Sequence, residues 1–513
     1  MYISAVIIKT AAFLIIGLVL NNHIGQIQNG FIIPSVLITS ALILIQKIKR
    51  NSFWSFYIPI HCTLLGWLHG YSPYIYDFYK NLDQTALKIE GCIQKYKQKD
   101  NHTSITLEVQ NIQQDEKTIY TKNLSIYLTT SCTEAHDWKI GQKLSINPIE
   151  LRDPYKNTYY SIGFLNWLKQ NNISYITRLN LCEHYTHKKQ VGLLVSSRQK
   201  IISLINETFK NPGVNPIIKA LIIGDKSSIN KEVKTIYTKT GALHILAISG
   251  LHVGIIFGIP FFLLAKLKQR KIIRYVVSLG IVLCFTLITG ASPSVSRAAV
   301  MLLLFSVTNY FGKPTYSLQI VALTGLGFIL IKPNQIEHLG FLLSFSAVIG
   351  IITIYPYLIK RIIFKHKPIR LMWEMTAVSI SAQVGTFGLC LFYFKQFSLS
   401  FILSGLIVIP LAPIVIYSSI LSLILSSINP LWGQFIGQFT ASLLNFQTNT
   451  LKKISDIDIL FIEDIVFPVE ALIIYYLLLL ILIIYRGPLI WKLLITILGF
   501  ILICSFQEKS LWR

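Results

Sequence analysis

The sequence predicts a polytopic α-helical membrane protein carrying one small all-β domain outside the membrane. Three observations lead there. Apolar residues make up 53% of the 513-residue chain and charged ones only 14%, against about 25% charged in soluble domains. Apolar runs long enough to cross about 30 Å of hydrocarbon recur along it. A single polar stretch, residues 72–190, interrupts them with the alternation of half-buried strands.

Spans are predicted near residues 4–20, 31–45 and 53–68, so residues 1–70 form an N-terminal membrane unit. The first run has no small-residue cleavage site and a second follows at once, so it reads as a retained helix rather than a signal peptide. In the polar domain, residues 103–110 and 124–128 alternate apolar and polar side chains, and 90–96 and 143–146 do likewise. Asn-, Asp- and Lys-rich turns separate them, which suits an open barrel. Residues 162–170 break the alternation and predict a helix. The linker, 191–240, carries an amphipathic helix at about 197–209 suited to a membrane surface. Spans resume near 243–264, 273–288, 295–310, 317–331, 339–359, 376–394 and 401–425, the core of the membrane part (241–425). In the last part (426–513), residues 432–451 mix Gln, Asn and Thr with apolar residues and read as interfacial or re-entrant, before spans near 465–485 and 489–504. The count comes to roughly 12 crossings.

The net charge is +24, and between residues 191 and 425 there are 22 Lys and Arg against five Asp and Glu. Two explanations compete, the positive-inside rule and a polyanionic cargo. Three basic loops fall on one side if the spans are counted as above: Lys47, Lys49 and Arg50; Lys266, Lys268, Arg270, Lys271 and Arg274; Lys360, Arg361, Lys365, Lys367 and Arg370. Placed in the cytoplasm, they put the amino terminus inside and the β-domain outside. The rule thus accounts for 13 basic residues without any cargo. Of the seven cysteines, Cys62, Cys284, Cys390 and Cys504 sit in apolar runs and read as packing residues. Cys92, Cys132 and Cys182 fall in the polar domain, where one disulfide can form outside the cytoplasm, the pairing left open. No C-x-x-C pair exists, which argues against zinc or redox chemistry.

Residues 241–254 place His244, Ser249 and His252 at the head of an apolar segment, with Gly250, Gly254 and Gly258 spaced four apart. Polar groups in hydrocarbon face a bundle interior or a hydrated path, and the glycine ladder predicts a close helix crossing. His244, Ile248 and His252 are expected on successive turns of one helix. Eight residues and no carboxylate separate the histidines from a metal-binding pattern. They are left as hydrogen-bonded core residues or as lining of a hydrated path. Ile-Ser-Gly around Ser249 lacks the nucleophile elbow, so the chain is not read as an enzyme and no metal or cofactor is expected.

In residues 289–301, Ser292 is a good N-cap and Pro293 a good first helical residue. Arg297 then lies one turn inside an apolar span, either as an anion-binding guanidinium or as an anchor snorkelling to the interface. Asp225, beyond a helix end at Gly224, reads as a loop-capping residue or as part of a pore mouth. Gln383 is the most pore-like of the polar residues in the later spans. The polar domain holds Tyr96, Tyr120, Tyr127, Trp138, Tyr159, Tyr160 and Trp167. Its best candidate nucleic-acid patch is the run Lys88, Lys95, Lys97 and Lys99, since aromatics beside a basic groove are how OB-folds hold single strands.

Five motifs in order carry a resemblance: Leu-Ile-Ile-Gly-Asp-Lys (221–226), His-Ile-Leu-Ala-Ile-Ser-Gly-Leu-His-Val-Gly (244–254), Gly-Ala-Ser-Pro-Ser-Val-Ser-Arg-Ala (290–298), Gly-Phe-Leu-Leu-Ser-Phe (340–345) and Ser-Ala-Gln-Val-Gly-Thr (381–386). Together they resemble the ComEC-type competence proteins, inner-membrane channels for DNA uptake in natural transformation. The resemblance implies an OB-like extracytoplasmic domain and passage of one DNA strand. It also implies a periplasmic DNA receptor that delivers the strand and a cytoplasmic helicase-like motor that draws it in. Many members carry a C-terminal metallo-β-lactamase-like domain with an H-x-H-x-D-H motif. The sequence to Arg513 has none, so a nuclease is expected to be a separate protein. Gly405 stands where many relatives place Asn. The rival from another class is a small-solute or lipid-linked secondary transporter; an internal repeat would favour it, and none is visible. A third reading is an assembly scaffold for an envelope machine.

Overall fold

The computed structural model describes residues 193–484 except 313–316, 332–334 and 337, together with the strands and some connecting residues between 87 and 188. The three N-terminal spans, the span at 489–504, Cys132 and Cys182 lie outside the described residues. Two compact units are present, a β unit that runs to Ile201 and also includes Ile329–His338, and a helical unit over Ile202–Phe328 and from Leu339 onward.

In the β unit, β1 (Leu87–Lys99), β2 (His102–Gln114) and β3 (Lys117–Thr130) form an antiparallel meander. β4 (Lys143–Ile149) pairs with the other edge of β1, β5 (Ile173–Leu179) lies parallel to β3, and β6 (Tyr185–Lys188) extends β4. Beyond β4, Arg152 exchanges both backbone hydrogen bonds with Ile176 of β5, each 2.9 Å. That bridge joins the two flanks of the sheet into the open Greek-key barrel the alternation predicts. Ile105, Leu107 and Val109 of β2 and Leu124, Ile126 and Leu128 of β3 fill its interior at every second position. The predicted helix is present at Phe164, Leu165 and Leu168, and it covers Ile173 and Ile176. The rings of Tyr127 and Tyr160 lie 5.9 and 5.5 Å from that of Phe164, so these two aromatics serve the helix–sheet junction.

Helix α1 (Leu193–Thr208) leads from the β unit into the helical unit, where α2 (Asn215–Ile223) and α3 (Lys231–Lys239) come next. Among the described residues nine helices follow: α4 (Gly250–Lys266), α5 (Lys271–Ile288), α6 (Pro293–Tyr310), α7 (Ser317–Ile331), α8 (Leu339–Arg361), α9 (Lys367–Phe394), α10 (Phe401–Ile428), α11 (Pro430–Ser455) and α12 (Val469–Ile484). Of these, α5, α8, α9 and α10 are long and apolar enough to cross a membrane, and α4, α7 and α12 are shorter apolar helices. A two-stranded ribbon, β7 (Phe397–Ser398) with β8 (Phe461–Ile462), ties the α9–α10 connection to the chain after α11.

Small residues set the helix crossings, but not the ones the sequence suggests. A Cβ on Gly254 would meet nothing within 4 Å, and one on Gly258 only Phe262 of its own helix. Among the described residues the ladder on α4 is no seam; there only Gly250 touches another helix, through Ala298 of α6. The close crossing is α8 on α9, where a Cβ on Gly350 would overlap the Ser381 carbonyl oxygen and one on Gly385 that of Ser346. The hydroxyls of Tyr475 and Tyr476 on α12 donate to the Val384 and Gly385 carbonyls at 2.7 and 2.9 Å, fastening α12 beside this crossing. Gly405 leaves room for Ser379, whose Oγ would lie 2.9 Å from an added Cβ, so the Asn of relatives does not fit here without a shift.

These contacts set an asymmetry. Gly385→Ala is expected to destabilise the helical unit by about 1–3 kcal/mol through overpacking. Gly254→Ala is expected to be neutral or mildly stabilising, from helix propensity alone. Thermal unfolding of the two variants in detergent checks this; equal behaviour would contradict the crossing described.

Candidate nucleic-acid path

The segment with the two histidines is not one helix. Leu243–Ile245 forms a short 3-10 turn, Ser249 is extended (φ −114°, ψ 174°), and α4 begins only at Gly250. His244 and His252 therefore do not stack on successive turns. The cause is a helix cap: Ser249 is the N-cap and His252 occupies the third helical position, where a capping box usually has Glu or Gln. The Ser249 N–H donates to His252 Nδ1 at 3.3 Å, and Ser249 Oγ lies 3.0 Å from the same nitrogen. With Nδ1 accepting, the ring proton of neutral His252 sits on Nε2.

His252 is 1% exposed, and its Nε2 has no hydrogen-bond partner among the described residues. The ring borders a cavity of about 10 Å³, lined also by Tyr237, Leu246, Ala412, Leu444 and Gln447. That is room for about one water molecule, not for a nucleic-acid strand. Across it, Gln447 Nε2 donates to the Tyr237 hydroxyl at 3.1 Å. Burial pushes the pKa of that phenol above its ordinary value, so it stays protonated. The His252 node thus joins α3, α4, α10 and α11. His244, by contrast, is exposed, with Nδ1 held 3.1 Å from the Gly241 carbonyl oxygen.

Three of the sequence motifs meet around this helix start. Gly224, left-handed at φ 74°, ends α2 and lies where a Cβ would touch Ile248 at 3.3 Å and the Thr289 carbonyl at 3.9 Å. Ile248 and Val253 share a buried cluster with Val295 of α6. The turn into α6 has Gly290 and Ala291 at φ 70° and 49°, and a left-handed alanine is a strained conformation of the kind that gathers at functional sites. Helix α6 begins at Pro293 as predicted, although the Ser292 side chain makes no capping bond.

Arg297 does not snorkel. It is 1% exposed, and Nη2 donates to the Gly340 carbonyl at 2.9 Å and to Ser294 Oγ at 3.2 Å. Its Nε–H has no hydrogen-bond partner among the described residues. The guanidinium carbon stands 5.9 Å from the Phe341 ring centroid, a cation–π contact. A fourth motif, at the head of α8, is thereby brought to the same place. No carboxylate among the described residues pairs with this cation. Glu337 and Glu374 are the acidic residues of stretch 243–451; Glu374 is tied to Arg370 at 3.0 Å and Glu337 lies outside the described residues.

The remaining candidates are spread out. Asp225 holds its own loop, accepting from the Ser227 N–H at 2.9 Å and hydroxyl at 2.7 Å. Gln383 is half-buried on α9, beside the Gly350–Gly385 crossing rather than in the Ile248–Val295 cluster. In the β unit Lys88 is half-buried, and the register sets Lys95, Lys97 and Lys99 opposite Thr106, Ser104 and His102, alternate positions of β1. The sequence reading missed Tyr237 and Gln447. Ser249 with a hydrogen-bonding side chain three residues on was the available signal for the helix start.

The model of the Competence protein family matches residues 221–489, more than half of the chain. The chain belongs to that family. It is 28% identical to ComE operon protein 3 of Bacillus subtilis (strain 168) over 304 residues, 59% of this chain and 37% of that protein. It is 25% identical to Recombination protein 2 of Haemophilus influenzae over 247 residues, 44% of this chain and 30% of that one. It is also 25% identical to the uncharacterised Escherichia coli protein YcaI over 169 residues. The chain spans little more than a third, at most, of the length of these curated relatives. No solved structure matches it.

The capped helix start is open to test. His252→Ala removes a buried ring and a cap acceptor together, and should cost about 2–4 kcal/mol. His252→Gln keeps an acceptor for the Ser249 N–H and should recover part of that loss. Thermal unfolding in detergent separates them; two equal losses would deny the cap its role.

Proposed function

We propose that this chain forms the membrane channel through which one DNA strand reaches the cytoplasm during natural transformation. Membership of the competence protein family supports this reading. The observation that carries it is Arg297, an ionised group buried in the helical unit with no carboxylate partner among the described residues. Such a charge costs several kcal/mol unless an anion is near. A guanidinium presents a fork of N–H donors that matches phosphate oxygens. Gly340 and Ser294 hold two of its contacts at the heads of α8 and α6; a strand entering there would replace them with phosphate. Residues 243–451 offer that strand almost no repulsion, since only Glu337 and Glu374 are acidic.

The helix connections favour one direction of transit. The basic loops Lys266–Arg274 and Lys360–Arg370 are four helices apart, α5 to α8, and so share a side. With these loops cytoplasmic, the heads of α4, α6 and α8 open outward, where DNA arrives, and the β unit is extracytoplasmic. A periplasmic receptor would deliver the strand and a cytoplasmic helicase-like motor would draw it in. Asp225, His244, Ser249, Gly250 and His252 then position the outer mouth, Gln383 belongs to the wall, and Lys88, Lys95, Lys97 and Lys99 offer a first contact for the strand.

Arg297→Gln is the test. Uptake of labelled DNA into a nuclease-resistant cytoplasmic pool should fall at least tenfold, with surface DNA binding and the amount of protein in the membrane unchanged; Arg297→Lys should fall in between. Normal uptake by Arg297→Gln would reduce the residue to a brace between α6 and α8.

A further inference from the structure

Helix α11, expected at the membrane surface or re-entrant, is 26 residues long and too polar to count among the apolar spans, yet it packs along one of them. Asn429 alone joins it to α10, and the two pair antiparallel: Gly433 lies on Ser426, Gly437 on Ser422, and Leu444 and Gln447 beside Val415 and Ala412. Ser422 Oγ donates to the Gly433 carbonyl at 2.7 Å, and Thr440 Oγ1 to Ser418 Oγ at 2.8 Å. From Ser426 to Val408, α10 is about 27 Å long at 1.5 Å per residue, close to the hydrocarbon thickness of about 30 Å. A helix laid along that length is at membrane depth.

Its outward face is not one for lipid. Gln438, Ser442, Asn445 and Asn449, spaced four, three and four apart, are all exposed. Phe435, Phe439 and Phe446 share the stripe, at 73%, 52% and 60% exposure. Lys452 and Lys453, both exposed, close it at the end of the helix that also carries α3, where Lys452 meets Glu232 at 3.0 Å. Helix α11 contains no Asp or Glu. The exposed faces of other helices differ: α4 shows Ile259, Phe262 and Leu263, and α10 shows Ile414, Leu421 and Ile424, as hydrocarbon requires. A row of amides and a hydroxyl facing hydrocarbon along a span would be costly.

Aromatic rings and amides on a helix with no acid of its own, closed by Lys453 and by Lys452 in its ion pair with Glu232, form a surface for single-stranded nucleic acid: rings stack on bases of any sequence, and cations track the backbone. We propose that the outward face of α11 lines the strand's path, with Phe435, Phe439 and Phe446 as stacking steps and Gln438, Asn445 and Asn449 as hydrogen-bonding partners. It rests on the channel reading above, and places the path along α11 rather than at the cavity beside His252. Lys452 and Lys453 then stand at the outer mouth, on the side where the strand arrives.

The test uses the full chain in proteoliposomes with radiolabelled oligothymidine. A benzophenone-bearing residue is placed at position 445 or 449, and at 262 as the lipid-facing control. Light-induced adducts with DNA at 445 and 449 but not at 262 support the proposal. Adducts at 445 and 449 with lipid alone, or with a second copy of the chain, overturn it. Because those three rings are exposed, leucine there keeps the apolar volume without disturbing the core. Changing all three to Leu should lower oligonucleotide passage at least tenfold, and changing them to Tyr should retain it. Equal passage through the Leu and Tyr variants would overturn the stacking role. If wild-type vesicles pass no oligonucleotide, the channel reading itself falls; if they pass it while 445 and 449 stay unlabelled, only the α11 path falls.

Discussion

Hydrocarbon cannot hydrogen-bond, and this single constraint decides where the polar groups of the helical unit go. Where the chain breaks between the 3-10 turn and α4, the freed groups at Ser249 turn to His252. Where Arg297 enters the bundle, it finds a carbonyl, a hydroxyl and a ring face. Several serine and threonine hydroxyls between helices are bonded too, as Ser422 is to the Gly433 carbonyl, though those of Ser278 and Ser306 are buried without a partner among the described residues. The exposed amides of α11 do not follow this pattern, which is why that face reads as belonging to water and cargo.

Much of the fold was legible. The period-two alternation located β1 to β4, because a barrel interior demands an apolar residue at every second position. Gly224 and the Ser292–Pro293 pair marked a helix end and a helix start, because those residues suit only a few backbone geometries. The glycines were misread for a physical reason. Spacing tells which residues share a face of one helix, but not which face meets a neighbour. Gly254 and Gly258 share a face and meet no other helix among the described residues, whereas Gly350 and Gly385, far apart in sequence, meet each other.

The site was partly legible for the same reason. Four motifs that looked separate in the chain, around Gly224, Ser249, Arg297 and Gly340, occupy one junction. Their residue types hinted at it, since polar groups in apolar helices need partners. Tyr237 and Gln447 gave no such hint: one lies in a short polar helix, the other among many amides, and only the fold brings them within 3.1 Å. The interruption before α4 was hidden by the apolar residues on both sides of it.

The single-residue joint at Asn429 bears on how the protein is made. Helix α11, with its many amides, is a poor candidate for insertion on its own, because insertion machinery judges each segment largely by its apolar content. Helix α10 is strongly apolar and precedes it directly. The serine and threonine bonds between them satisfy part of what α11 would otherwise leave bare. The two helices are therefore suited to enter the bilayer as one hairpin, the first carrying the second. A change that stiffened or lengthened the joint would then show itself during biosynthesis, before any strand is ever conducted.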